Sequence, residues 1–215
     1  MKTQKSNIFK SGLVKDAFFS KVYEFPLIKK SFYKPKKAIP FNKARKSKEF
    51  DNWVHFFIHD NQFQCLWNNP KQYLGVLKRF AGVITPDFSL YRVLPLSMQI
   101  WNTYRNRAIA YWLQKNGINI VPNISWSDER SYTFAFEGIE TGGTVAVSTN
   151  GCIRDKIDRY YFVKGLEYMV ECLQPDTIIN YSCTPLDIFA FCKDKGIKVI
   201  QIENYALTVR KRVNI

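Results

Sequence analysis

The polar residues best suited to chemistry in this chain follow short apolar runs. Asp60 comes just after the run 53–58 (WVHFFI), Asp87 after 81–85 (AGVIT), and Asn123, Trp126 and Asp128 close or follow 118–124 (INIVPNI). Ser148 and Asn150 end the run 144–148 (TVAVS), and Asn180, Ser182, Glu203 and Asn204 end two further runs at 177–181 and 198–202. If these runs are parallel strands, all of these residues lie on the rim where parallel α/β folds place their ligands. Asp60, Asp87 and Asp128 are then the candidate acid–base residues. Neighbouring strands would bring Asp60 and Asp87 together, and such a pair can split its pKa values or hold Mg²⁺ against phosphate oxygens. Asn102, Asn123, Trp126, Ser148 and Asn150 are the candidate substrate contacts. Arg105 and Arg107 are the candidate phosphate contacts, since a guanidinium grips oxygens bidentately. The competing reading is that Asp, Asn and Ser are turn formers and helix caps.

Other chemistries find little support. His55 and His59 have i, i+4 spacing, which suits a shared metal only on a helix; on a strand they stand about 13 Å apart. No Cys-x-x-Cys pair occurs, so no metal site is expected. The Gly-rich phosphate loop, the Gly-x-Gly-x-x-Gly dinucleotide turn and the Gly-x-Ser-x-Gly elbow are all absent. Cys152 follows a strand, but the only histidines are His55 and His59, so it reads as a structural thiol rather than a nucleophile.

The elements that would position the rim are read from punctuation and pattern. Six strands are expected, at 53–58, 81–85, 118–124, 144–148, 177–181 and 198–202. Helices are expected at 63–77 with a break at Pro70, at 95–116 stopped by Gly117, at 158–173, and at 185–195 stopped by Gly196. The connector 125–143 reads as a short strand or a bent helix. The runs are continuously apolar, as in parallel strands covered on both faces. The fold class is therefore α/β, with about six mostly parallel strands in an open doubly wound sheet or an incomplete barrel. Within helix 95–116, Gln99, Asn102 and Asn106 share one face. That polar strip points either to the site or to solvent.

Charge divides the chain. The 215 residues carry a formal net charge of +14, yet residues 1–50 hold 14 Lys+Arg against three acids, a net of +11. Residues 1–50 are expected to form a basic arm and 51–215 a single α/β domain. The candidate phosphate-contacting residues of the arm are Lys29, Lys30, Lys34, Lys36, Lys37, Lys43, Arg45, Lys46 and Lys48. Lysine is a point charge that suits phosphate neutralisation better than base reading, and the interleaved Phe32, Tyr33 and Phe41 can stack on bases or pack on the domain. Five cysteines and no apolar leader or spanning segment favour a soluble protein of the reducing cytoplasm, with no membrane partner.

The runs 80–91 (FAGVITPDFSLY), 99–107 (QIWNTYRNR), 121–131 (VPNISWSDERS), 136–139 (FEGI) and 145–152 (VAVSTNGC) resemble a family catalogued as domain of unknown function 4417. So do Trp67-Asn68-Asn69-Pro70 and the stretch 165–179. The resemblance spans about residues 50–182 and leaves the basic arm and the last thirty residues outside. It implies a bacteriophage or mobile-element origin, hence the cytoplasm of a bacterial host. It carries no established activity. Val93 stands where relatives often have an acidic residue, which removes one carboxylate from any acidic cluster of the family.

Three functions follow. The first is a phage accessory protein that binds DNA or RNA mainly through phosphates, in replication or host takeover. The second is an enzyme acting on a nucleotide or other phosphorylated substrate at the rim, with Mg²⁺ as a possible cofactor. The third is a non-catalytic protein that sequesters a phage or host protein or a signalling nucleotide.

Overall fold

A computed structural model describes residues 10–182, 186–205 and 207. Seven strands form, all parallel to their neighbours: β1 (Ala38–Pro40), β2 (Trp53–His55), β3 (Gly82–Ile84), β4 (Ile120–Val121), β5 (Thr144–Ser148), β6 (Thr177–Tyr181) and β7 (Lys198–Ile202). They make one sheet in the order β1-β2-β3-β4 and another in the order β5-β6-β7. A parallel bridge between Asn123 and Ala146 joins the two just beyond β4.

The order is sequential, so the sheet has no switch point and is not doubly wound. It is curled instead. The ring centroids of His55 in β2 and Tyr181 in β6 lie 4.1 Å apart. Four steps across a flat sheet would separate those strands by about 19 Å. A small apolar cluster accordingly takes one inward side chain or more from every strand: Ala38, Trp53, Ile84, Val121, Ala146, Ile179 with Tyr181, and Ile202. The outward faces of the strands belong to a larger core shared with the helices. Among the described residues β7 does not pair with β1, so the barrel is not closed.

The helices are α1 (Phe41–Ala44), α2 (Gln64–Asn68), α3 (Lys71–Leu77), α4 (Leu96–Lys115), α5 (Glu129–Tyr132), α6 (Lys156–Leu173) and α7 (Ala190–Asp194). Pro70 separates α2 from α3. Gly117, at φ +77°, ends α4: Gly117 N donates to Gln114 O and Ile118 N to Leu113 O. These are the two bonds of a Schellman cap, and Gly196 ends α7 in the same way. Asp155 caps α6 by accepting from the amides of Ile157 and Asp158, so this helix begins two residues before the expected 158. The connector 125–143 contains the short α5 and no strand. Residue 185 of the expected last helix lies outside the described residues. Among them, no helix is long and apolar enough to cross a membrane.

The chain before residue 50 does more than trail. Ala38–Pro40 pairs with β2 along its whole length, and Phe25, Ile28, Ile39, Phe41 and Ala44 are buried. A strand so short, set between lysines, leaves no periodic signal in the sequence.

Candidate functional site

A cleft of about 540 Å³ opens at the carboxyl ends of β2 to β5. Its walls come from the ends of those strands and the loops after them: Phe57 to His59, Asp87, Ser89 to Arg92, Ser125 to Ser127, Ser148 and Asn150 to Cys152. Asp158 and Phe162 of α6 close one side. A smaller recess of about 60 Å³ reaches past Asp87 to Asn123.

Asp87 is the chemically distinctive group. Protein surrounds it, and its partial solvent access is into the cleft. Burial pushes its carboxyl up to about 6, against the pull of hydrogen bonds from Asn123 and Ser125; the nearby charge of Asp60 adds to the rise. Asn123 Nδ2 donates to Asp87 Oδ1 at 2.8 Å. Asn123 is itself held by its backbone N–H, which donates to Thr85 Oγ1 at 2.8 Å. Asn123 Oδ1 is buried and has no partner. A carboxyl with this pKa carries either charge state near neutral pH and can give or take a proton.

The polar strip of α4 explains how the site loop is held. Asn106 brackets Phe88, accepting from its N–H at 2.8 Å and donating to its carbonyl at 3.2 Å. Asn102 Nδ2 donates to Ser89 O at 2.7 Å. Gln99 donates to Leu94 O at 3.1 Å and accepts from Ser127 Oγ at 2.6 Å. The strip therefore faces neither solvent nor ligand: its three buried amides fix the backbone that follows Asp87 and one serine of the wall.

Several expected site residues serve this scaffold. Asp60 accepts from Ser89 N at 3.1 Å and from Ser89 Oγ at 2.7 Å, which occupies both of its oxygens. Asp128 caps α5 and pairs with Arg130 at 2.9 Å. Arg105 lies over the Phe88 ring at 3.7 Å and donates to Gln64 at 2.9 Å and to Asn102 at 2.5 Å. Arg107 is buried and donates to three carbonyls, those of Glu137, Asn123 and Ala135. It staples the connector after β4 to α4, with no donor aimed at the cleft. Asn102 likewise lies behind the wall. Asp87, Asn123, Trp126, Ser148 and Asn150 are the expected residues that border the cleft or its recess.

Sequence reasoning passed over Arg92, Asp158, Ser125, Ser127 and Phe57. The serines had a signal: Asn123, Ser125 and Ser127 alternate beyond β4, as residues on one face of an extended chain do. Arg92 and Asp158 had none, since they meet only in three dimensions, at 2.7 Å across the mouth of the cleft. Trp126 stacks on Phe162 with centroids 5.2 Å apart and donates its indole N–H to Tyr161 O. It fits against α6 because Gly165 carries no side chain: a Cβ there would sit 2.2 Å from Trp126 Nε1. Burial raises the Cys152 thiol to about 12, which leaves it protonated and unfit as a nucleophile at neutral pH.

Two features limit the chemistry. Arg92 is the one lysine or arginine among the described wall residues, and Asp158 already pairs with it. The wall thus offers no unpaired lysine or arginine to a phosphate. Among the described residues no group of three His, Cys, Asp or Glu is placed to hold a metal ion, and Asp60 and Asp87 accept hydrogen bonds from Ser89 and Asn123.

The family model for a domain of unknown function, DUF4417, matches residues 17–205. The chain belongs to this family. The match begins well before residue 50 and ends beyond 182, wider than the motif resemblance, and it covers the residues of β1 and β7. Two relatives are phage proteins. The Gene 1 protein of Mycobacterium phage L5 is 32% identical over 177 residues, covering 79% of this chain and 77% of the relative. The Gene 1 protein of Mycobacterium phage D29 is 34% identical over 201 residues, covering 91% and 72%. No solved structure matches the chain.

Proposed function

We propose that the cleft binds a small planar ligand of the nucleobase or nucleoside kind and that Asp87 exchanges a proton with it. The observation that carries this reading is the placement of Asp87, enclosed by protein and open to the cleft alone. Phe57, Trp126 and Phe162 give the cleft apolar wall for a heterocycle, while Ser125, Ser127, Ser148 and Asn123 supply polar groups for its edge. The lack of an unpaired lysine or arginine in the wall favours an uncharged ligand over a phosphorylated one.

The test is a panel of nucleosides and their monophosphates, each titrated against the protein by calorimetry between pH 5 and pH 8. Nucleosides are expected to bind more tightly than monophosphates, with an affinity that changes as pH passes about 6. Asp87→Asn is expected to abolish that pH dependence. Preferential binding of monophosphates, or binding indifferent to Asp87→Asn, refutes the reading.

The charge distribution favours a second reading, contact with DNA or RNA phosphates. All nine expected basic residues, from Lys29 to Lys48, are exposed. Of these, Lys37 pairs with Asp51 and Arg45 lies over the Tyr73 ring. Binding that weakens steeply with salt is its signature. A phage protein acting on nucleic acid would do so in the cytoplasm of the host. Sequestration of a host protein finds no specific support among the described residues.

A further inference from the structure

The segment 28–37 crosses the amino ends of the strands, at the end of the curled sheet opposite the cleft. Ile28 N donates to Gly138 O and Glu140 N to Ile28 O. Gln114 exchanges two bonds of 3.0 Å with the backbone of Lys29. Thr144 N, at the start of β5, donates to Ser31 O. Tyr33 OH donates to Asn119 at 2.7 Å, before β4, and the Tyr33 ring lies 5.6 Å from that of Trp53 in β2. Trp53 N then donates to Lys37 O, and β1 follows. The strap is thus fixed by its backbone under β5 and β2, and by the Tyr33 side chain at the start of β4.

Its side chains divide by direction. Ile28, Ser31 and Pro35 are buried; Lys29, Lys30, Phe32, Tyr33, Lys34, Lys36 and Lys37 are exposed. The ten residues contain five lysines and no acid. The loops leading into β3 and β7 add exposed Lys78, Arg79, Lys195 and Lys198 at the same end. Carboxylates stand there too, Asp51 against Lys37 and Glu140 against the Lys30 amide, but they meet the edges of the strap and not Lys30, Lys34 or Lys36 side chains. Phe32 is 62% exposed, with Lys30 Nζ 5.8 Å from its ring.

We propose that this strap is a contact surface for single-stranded nucleic acid, its lysines on the phosphates and Phe32 under a base. The proposal rests on the second reading above and gives it a location and a strand preference. Four physical points support it. From Lys29 to Lys37 an extended chain spans roughly 26 Å, long enough for several nucleotides. The strap backbone is ordered by folding, so binding orders only side chains. Lysine without arginine gives phosphate contact with little reading of bases. A duplex presents phosphates but buries its base faces, so an exposed ring beside the lysines distinguishes single strands.

The experiment uses the full chain, a fluorescent 20-nucleotide oligothymidylate, the matching 20-base-pair duplex, and a salt series from 50 to 300 mM. Anisotropy is read for the unmodified chain and three variants: Lys30→Ala with Lys34→Ala and Lys36→Ala; Lys43→Ala with Lys46→Ala and Lys48→Ala; and Phe32→Ala. Each remains folded by circular dichroism, as expected for exposed side chains. The strap variant is expected to bind oligothymidylate at least tenfold more weakly, with a log–log salt slope shallower by about 2, three contacts at roughly 0.7 each. Phe32→Ala is expected to weaken the single strand roughly tenfold and the duplex little. No binding by the unmodified chain overturns both this proposal and the second reading. Binding lost in the Lys43, Lys46 and Lys48 variant but kept in the strap variant overturns the location alone. Equal effects of Phe32→Ala on both nucleic acids overturn the strand preference. Binding to vesicles of phosphatidylserine with phosphatidylcholine, but to neither oligonucleotide, reassigns the strap to a membrane and overturns the proposal.

Discussion

Asp87→Asn is expected to make the protein more stable, and increasingly so as pH rises. In the folded protein the carboxyl titrates at about 6, against an ordinary value of 3.8. Between those two values the folded state keeps a proton that the unfolded chain has released. Stability contributed by this group is therefore full below the unfolded value and is lost as pH climbs to about 6. The 2.2-unit difference corresponds to about 3 kcal/mol, all of it forfeited at neutral and alkaline pH. Asparagine is neutral throughout and can still accept from Asn123. At pH 4 the two proteins should unfold alike. At pH 8 the variant should be about 3 kcal/mol more stable, which for a chain of this length raises Tm by roughly 6–12 °C. Thermal unfolding followed by circular dichroism at pH 4, 6 and 8 measures this. A Tm difference that does not change with pH, or a variant that is less stable at pH 8, refutes the account of Asp87. Confirmation would mean that the chain keeps a costly carboxylate facing its cleft, the usual mark of a group retained for function.

Two further predictions concern the scaffold. Burial holds the His55 imidazole down to about 3, so its contribution is present above the ordinary 6.5 and is lost as pH falls toward 3. His55→Phe removes the acceptor for Phe57 N–H and should cost about 1–2 kcal/mol at pH 7. At pH 4.5, where the native protein has forfeited about 3 kcal/mol, the variant should be the more stable of the two. Urea midpoints at the two pH values test the crossover, and a variant weaker at both would refute it. Gly143 lies under the strap, and a Cβ there would come 2.8 Å from Ser31 O and 2.9 Å from the Lys30 Cβ. Gly143→Ala should therefore loosen residues 29–33, seen as faster amide exchange at Thr144, whose N–H bonds to Ser31. Unchanged exchange there would mean that the strap is not held by close backbone approach.

The sequence carried the later strands well, because β5, β6 and β7 are continuous apolar runs bounded by Gly, Pro and Asp. The helix ends were legible wherever one residue type does the capping, as at Gly117 and Gly196. β1 was hidden because three residues between lysines bury as an edge of the sheet without any pattern of their own. The curl was hidden too. It rests on His55, Phe57 and Tyr181 meeting across the interior, a contact between residues more than a hundred positions apart. For the site, residue type and strand end were enough to bring Asp87, Asn123 and Ser148 to the right rim. They could not separate a cleft residue from a scaffold residue. Asp60 and Asp128 have the same chemistry as Asp87 and the same kind of position, yet Ser89 and Arg130 consume their oxygens. What distinguishes Asp87 is that its partners leave it with a costly charge and an opening.

The same logic assigns the arginines. An arginine inside an apolar helix looks like an anion site when read from sequence, but a guanidinium has five donors that must be satisfied when it is buried. Arg107 meets that demand with carbonyls from the connector after β4, and burial lowers its pKa to about 10 without discharging it near neutral pH. It can hold a loop or a ligand, and each of its three nitrogens donates to a carbonyl of the loop. The cationic capacity of the protein lies instead in exposed lysines, with a concentrated stretch under the amino ends of the strands, while the enclosed Asp87 carboxyl lies at the carboxyl ends. A polyanion and a small neutral ligand would therefore meet opposite ends of the same curled sheet. Occupancy of one need not obstruct the other, and the salt and pH dependences of the two should be separable: salt governs the strap, and pH near 6 governs the cleft.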